Sequence, residues 1–153
     1  MRSRRRAFVA ALAGMLSTAC ISPRAFAAGQ GSDPKLKASE WFAIRRTIDD
    51  QRKALKTGDA RKAFSYASPE IRAQFRTPEK FFAMVRDGYG ALLEARYVEF
   101  LEGAVIEGAV IQPLRLVAPD NSVLVALYTM EKEQDGRWRI AGCVLAPSTV
   151  QAA

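Results

Sequence analysis

Few side chains in this chain can do chemistry, and histidine is not among them. Its absence removes imidazole general bases, His-based triads and His-ligated metals together. Acid–base catalysis would then need an Asp or Glu whose pKa is raised by an apolar wall. Glu99 and Glu102 stand in an apolar run, but they flank Phe100 and Leu101 on opposite strand faces, so at most one points inward. Asp49 and Asp50 fall off the apolar stripe of their helix and read as solvated. Cys143 follows Gly142, and simple alternation puts Arg137 and Arg139 on its face. A thiolate nucleophile needs such positive neighbours; the competing reading is a buried, inert thiol. No acidic loop has calcium-binding spacing and no glycine-rich phosphate loop occurs. No catalytic residue is assigned on this basis, and no metal or cofactor is expected.

Three polar residues stand where the pattern calls for apolar ones. Gln51 is seven residues after Ile44 and four before Leu55, inside a helical apolar stripe. Gln112 alternates with Val110, Leu114 and Leu116, and Tyr128 with Leu124 and Ala126. Two amides and a phenol can line one cavity and bind a small polar or carbonyl-bearing ligand. Each can equally be a core polar group satisfied by backbone or water.

The elements that position them follow from spacing. Trp41, Ile44, Ile48 and Leu55 predict a helix from Glu40 to about Lys56, capped by Ser39 and stopped by Gly58. Asp59 caps a second helix over 60–67. Ser68-Pro69-Glu70 and Thr77-Pro78-Glu79 open two more, near 69–75 and 78–88. After Gly90 β-branched and aromatic residues take over. Turn signals at Glu107-Gly108, Pro119-Asp120-Asn121 and Asp135-Gly136 separate strands near 96–106, 109–118, 123–133 and 137–145. Helices first and a four-stranded antiparallel meander after make an α+β domain, with the helices packed on one sheet face.

The chain opens with an unbalanced basic stretch, Arg2 to Arg6, followed by an apolar run and the small-residue site Ala25-Phe26-Ala27. These are the three parts of a secretory signal, with cleavage after Ala27. The segment Arg5-Arg6-Ala7-Phe8-Val9 resembles the twin-arginine export motif. The alternatives are a general secretory signal and a lipid anchor through Cys20. The expected organisation is therefore a signal at 1–27, a leader at 28–38, the folded domain at 39–147 and a tail at 148–153, in the periplasm or secreted.

Processing changes the composition. The formal charge is +7, but residues 1–27 hold five arginines and no acid, so the remainder carries 18 basic and 16 acidic groups. Lys and Arg are mixed with Asp and Glu along the domain, which argues against a nucleic-acid surface. Cys143 is the one thiol left, so no intrachain disulfide forms. No membrane span is expected after processing.

The order of elements resembles the nuclear transport factor 2-like fold, in which a curved sheet wraps a long first helix into a cone. Three segments sharpen the resemblance: Gln51 to Asp59 running into Ala63-Phe64, the turn Ala67 to Ile71, and Asp135 to Leu145. Together they are similar to a bacterial family catalogued as domain of unknown function 4864, over about residues 40–146. The resemblance implies a fold and no activity. Enzymes on the cone fold, such as ketosteroid isomerase, set a carboxylate or His on an apolar wall, and no such residue stands out here. The expected function is a non-catalytic periplasmic domain that binds a small ligand or a partner protein. The alternatives are a cofactor-free isomerase or dehydratase with a buried carboxylate, and a homodimeric interaction module.

Overall fold

The computed structural model describes residues 35–148 of the chain. Arg5, Arg6, Phe8, Cys20, Ala25 and Ala27 lie outside the described residues, as do the expected signal and most of the tail.

Among the described residues five helices precede five strands. Helix α1 (Ala38–Lys56) carries Ile44, Ile48, Gln51 and Leu55 on its buried side, at the spacing the sequence predicts. It begins two residues before Glu40, and its N-cap is Lys37 rather than Ser39, with no side-chain cap. Glu40 is drawn instead to the sheet, where its carboxylate accepts from Trp138 Nε1 at 2.6 Å and Lys132 Nζ at 2.8 Å. The next three helices open as their cap signals require. Asp59 accepts from the Lys62 amide in α2 (Ala60–Ser65), Ser68 from Ile71 in α3 (Pro69–Phe75), and Thr77 from Lys80 in α4 (Pro78–Gly88). Residues 90–94 form the short helix α5 (Gly90–Glu94) before the strands begin.

The sheet has five strands, not four. The run expected as one strand over 96–106 divides into β1 (Tyr97–Phe100) and β2 (Ala104–Ile106), and both pair antiparallel with β3 (Ala109–Val117). Pro113 sits in β3 opposite the break. The Leu101 amide donates to the Pro113 carbonyl at 3.1 Å, but proline has no N–H to return. The Gln112 side chain fills that place: its Nε2 donates to the Leu101 carbonyl at 2.8 Å. Beyond it, Gly103 lies so close to the Trp41 ring of α1 that a Cβ there would overlap it. Proline and this close approach together end β1 pairing and restart it as β2. The two-residue turn Glu107-Gly108, both at positive φ, closes the β2–β3 hairpin.

Strands β4 (Val123–Lys132) and β5 (Trp138–Pro147) complete the order β1-β3-β4-β5. A bulge interrupts the last pair: Thr129 faces Gly142 while Met130 faces Ile140, leaving Ala141 without a partner. The free edge of β5 is covered by the α2–α3 connection, where Ser68 N bonds to Ile140 O and Ile140 N to Tyr66 O, both at 2.9 Å.

Two apolar clusters hold the fold. Ile44 and Ile48 of α1 pack with Leu92 of α5 and with Leu114, Leu116, Ala126, Met130 and Ile140 on the inner sheet face. Leu55, Ala63, Ala67, Phe81 and Val85 form a second cluster among the helices, with the Phe81 ring 5.5 Å from Phe64 and 5.8 Å from Phe75.

Candidate functional site

A cavity of about 260 Å³ lies where the two clusters meet, walled by α1, α3, α4, α5, β4 and β5. Leu55, Phe75, Phe81, Val85, Leu92 and Ile140 make most of its surface apolar. Its polar groups are Gln51, Gln74, Tyr89, Tyr128 and Cys143, and its lining residues include no Asp, Glu, Lys or Arg.

Gln51 reaches this wall because it occupies the apolar stripe of α1, one turn before Leu55. It is buried, and its Nε2 donates to the Ala63 carbonyl at 3.2 Å, which leaves the amide oxygen and a second N–H. Tyr128 comes from β4 and is 2% exposed. Burial is the main cause that holds its phenol far above the usual range, with the neighbouring Cys143 adding to it and Arg52 opposing it; no hydrogen bond contributes. The phenol is thus a protonated donor. Tyr89, between α4 and α5, donates to the main-chain carbonyl of Cys143 at 2.8 Å.

Gln112 sits elsewhere. It is Tyr128's cross-strand neighbour, yet it does not line the cavity. Its amide is used by the backbone at Leu101 and Pro113 and by Arg45, whose Nε donates to Oε1 at 3.2 Å. Of the three residues singled out by pattern, Gln51 and Tyr128 share a wall, and Gln112 mends the sheet at a proline.

Cys143 lines the cavity, but Arg137 and Arg139 are not on its face. The bulge at Ala141 reverses the alternation of β5, so Trp138 and Ile140 point inward before it and Cys143 and Leu145 after it. Arg139 pairs with Glu133 at 3.1 Å, and Arg72 of α3 reaches the same carboxylate at 3.1 Å. With no positive partner among the described residues, burial pushes the Cys143 thiol up to about 12, which leaves it protonated at neutral pH.

The carboxylates are spent on the surface. Glu99 pairs with Arg115 across the strands, Glu102 is exposed, and Asp49 and Asp50 bond to Lys53 and Arg46 along α1. Among the described residues no three His, Cys, Asp or Glu side chains are grouped to hold a metal ion, and no helix is long and apolar enough to cross a membrane.

Pattern reasoning missed two residues. Tyr89 stands between Gly88 and Gly90, and those flanking glycines were the available signal. Arg52 breaks the expectation that arginine lies outside: its side chain is 6% exposed, with Nη1 3.6 Å from Asp49 and Nε without a hydrogen-bond partner. Nothing in its spacing distinguishes it from its solvated neighbours.

The family model described as Domain of unknown function (DUF4864) matches residues 37–153. The chain belongs to this family. No curated protein matches it significantly. The DUF4864 match spans α1 through β5, so every element that walls the cavity falls within the family's own extent.

Proposed function

We propose that this DUF4864 member is an exported, non-catalytic domain of the nuclear transport factor 2-like kind, and that it binds a small ligand in the cavity shared by Gln51 and Tyr128. One observation carries the reading: an apolar cavity of about 260 Å³ has convergent amide and phenol groups in its wall. Such a combination is the usual form of a small-molecule site. A cofactor-free isomerase or dehydratase needs a carboxyl group beside its substrate, and the lining residues include neither Asp nor Glu. The cone-like architecture is supported by α1 packing across the inner face of the antiparallel sheet.

The test is a thermal-shift screen of small molecules on the protein and on Ile71→Trp, which narrows the cavity from its half-buried wall. At least one compound raises the Tm of the parent and fails to raise that of the variant. A screen in which nothing stabilises the parent removes the reading.

Export rests on the sequence of residues 1–27. Replacing Arg5 and Arg6 by Lys is expected to leave unprocessed precursor in the cytoplasm if the twin-arginine route is used. Normal processing of that variant points to the general secretory route.

A second reading, a homodimer through the outer sheet face, is favoured by one feature. Leu127 and Val144 are cross-strand partners on that face, 38% and 62% exposed. Sedimentation at high concentration decides it: a monomer dismisses the dimer.

A further inference from the structure

The chemistry of the cavity wall narrows the kind of molecule it accepts, given that it binds a ligand at all. An ion entering it would shed part of its hydration and meet no opposite charge in the wall, which disfavours it against a neutral molecule. Arg52, whose charge acts on Tyr128, is not part of the wall and faces Asp49 at 3.6 Å.

The polar groups of the wall are unequally available. Tyr89 has committed its proton to the Cys143 carbonyl, and Gln51 one of its N–H groups to Ala63. The thiol is a weak donor. The Tyr128 hydroxyl makes no hydrogen bond among the described residues, although the residue is 2% exposed and lines the cavity. The proton of that hydroxyl is uncommitted among the described residues, so a ligand acceptor in the cavity can take it up.

Size sets the remaining limit. A cavity near 150 Å³ takes a benzene ring, so 260 Å³ corresponds to a compact molecule of about ten non-hydrogen atoms.

We propose that the cavity selects a neutral, mostly apolar molecule of about ten non-hydrogen atoms, oriented by an oxygen acceptor that receives a hydrogen bond from Tyr128 Oη. This rests on the ligand-binding reading above and adds a charge rule and an orienting residue to it.

Three probes of equal heavy-atom count separate the terms: acetophenone, benzoate and α-methylstyrene. They are neutral with an acceptor, anionic, and neutral without an acceptor. NMR titration of the full chain, followed at the methyl groups of Ile140 and Leu92, reads occupancy directly. Acetophenone is expected to bind most tightly, α-methylstyrene about fivefold to tenfold more weakly, and benzoate not measurably. In Tyr128→Phe the ketone falls to the level of the hydrocarbon, whose unchanged affinity shows that the cavity is intact. Benzoate binding as well as acetophenone overturns the charge rule. A ketone preference that survives Tyr128→Phe overturns the orienting role. If all three probes fail while another compound occupies the cavity, the proposed selectivity falls and ligand binding stands. If no compound occupies it, both fall.

Discussion

The Tyr89 phenol donates to the main-chain carbonyl of Cys143 at 2.8 Å and so ties the α4–α5 junction to the last strand. Both residues line the cavity, so this bond spans part of its wall. Its proton has a partner, whereas the Tyr128 hydroxyl makes no hydrogen bond among the described residues. Truncating the two phenols should therefore differ. Tyr89→Phe is expected to lose about 1 kcal/mol in urea unfolding, the worth of one neutral hydrogen bond. Tyr128→Phe gives up no such bond and should leave stability within about 0.5 kcal/mol of the parent or raise it. Equal losses would mean that the Tyr128 hydroxyl has a partner in solution.

Gly103 is needed for space. Its backbone is not in the left-handed region; the Trp41 ring occupies the volume where a Cβ would stand. Gly103→Ala should cost about 1–3 kcal/mol as the ring or the β1–β2 connection shifts. In a Trp41→Leu background most of that cost should vanish. A double-mutant cycle measures the coupling, and additive losses would show that the ring is not the obstacle.

The caps of α2, α3 and α4 and the inward face of α1 were legible because each depends on local chemistry: Asp59, Ser68 and Thr77 before their helices, Ile44 and Ile48 a turn apart. The start of α1 was not, because its cap expected at Ser39 gives way to Lys37. Two failures share a cause. Alternation assumes an unbroken strand, and β5 carries an extra residue at Ala141 that flips every side chain beyond it. No local signal marks that bulge; it is set by pairing with β4. Likewise a single strand over 96–106 was reasonable from its own residues. The reason it divides lies in β3, where Pro113 cannot donate, and in α1, where Trp41 presses on Gly103. The candidate site was half legible for the same reason. Burial of Gln51, Gln112 and Tyr128 follows from pattern, but which of them shares a cavity depends on tertiary geometry.

Gln112 gives a direct test of the sheet repair. Its amide donates to the Leu101 carbonyl and accepts from Arg45, a set no apolar side chain can replace. Gln112→Met keeps the volume and leaves the carbonyl at Leu101 short of its main donor. The expected loss is about 1–3 kcal/mol. Amide exchange should quicken at Leu101, which donates to Pro113 at the same junction. Unchanged protection there would show that the Arg45 contact at 3.5 Å suffices.

Glu40 should dominate the acid response of the contact between α1 and the β4–β5 hairpin. Its pKa is lowered from 4.5, first by the hydrogen bond from Lys132 and then by that from Trp138. A depressed folded value means that the contribution is present above the unfolded pKa and lost as pH falls through the folded one. Stability should therefore decline as pH drops below about 4.5, and Glu40→Gln should flatten that decline while lowering stability at neutral pH. Parallel acid profiles for parent and variant would assign the decline to other carboxylates.

Cys143 controls the opposite limb. Burial raises its thiol from 9.0 to about 12, so the folded protein holds the proton where the unfolded chain releases it. The sign is the reverse of the Glu40 case: the stabilisation is complete below about pH 9 and drains away as pH rises toward 12. Tyr128, raised for the same reason, acts in the same direction at still higher pH. Cys143→Ala should weaken the protein at neutral pH by opening a small void, yet show a shallower fall between pH 9 and 11. The native thiol should also react slowly with a chromogenic disulfide reagent at pH 8 and rapidly once urea unfolds the chain. Rapid labelling of the folded protein would place the thiolate in reach of solvent and contradict the inward face that the Ala141 bulge gives it.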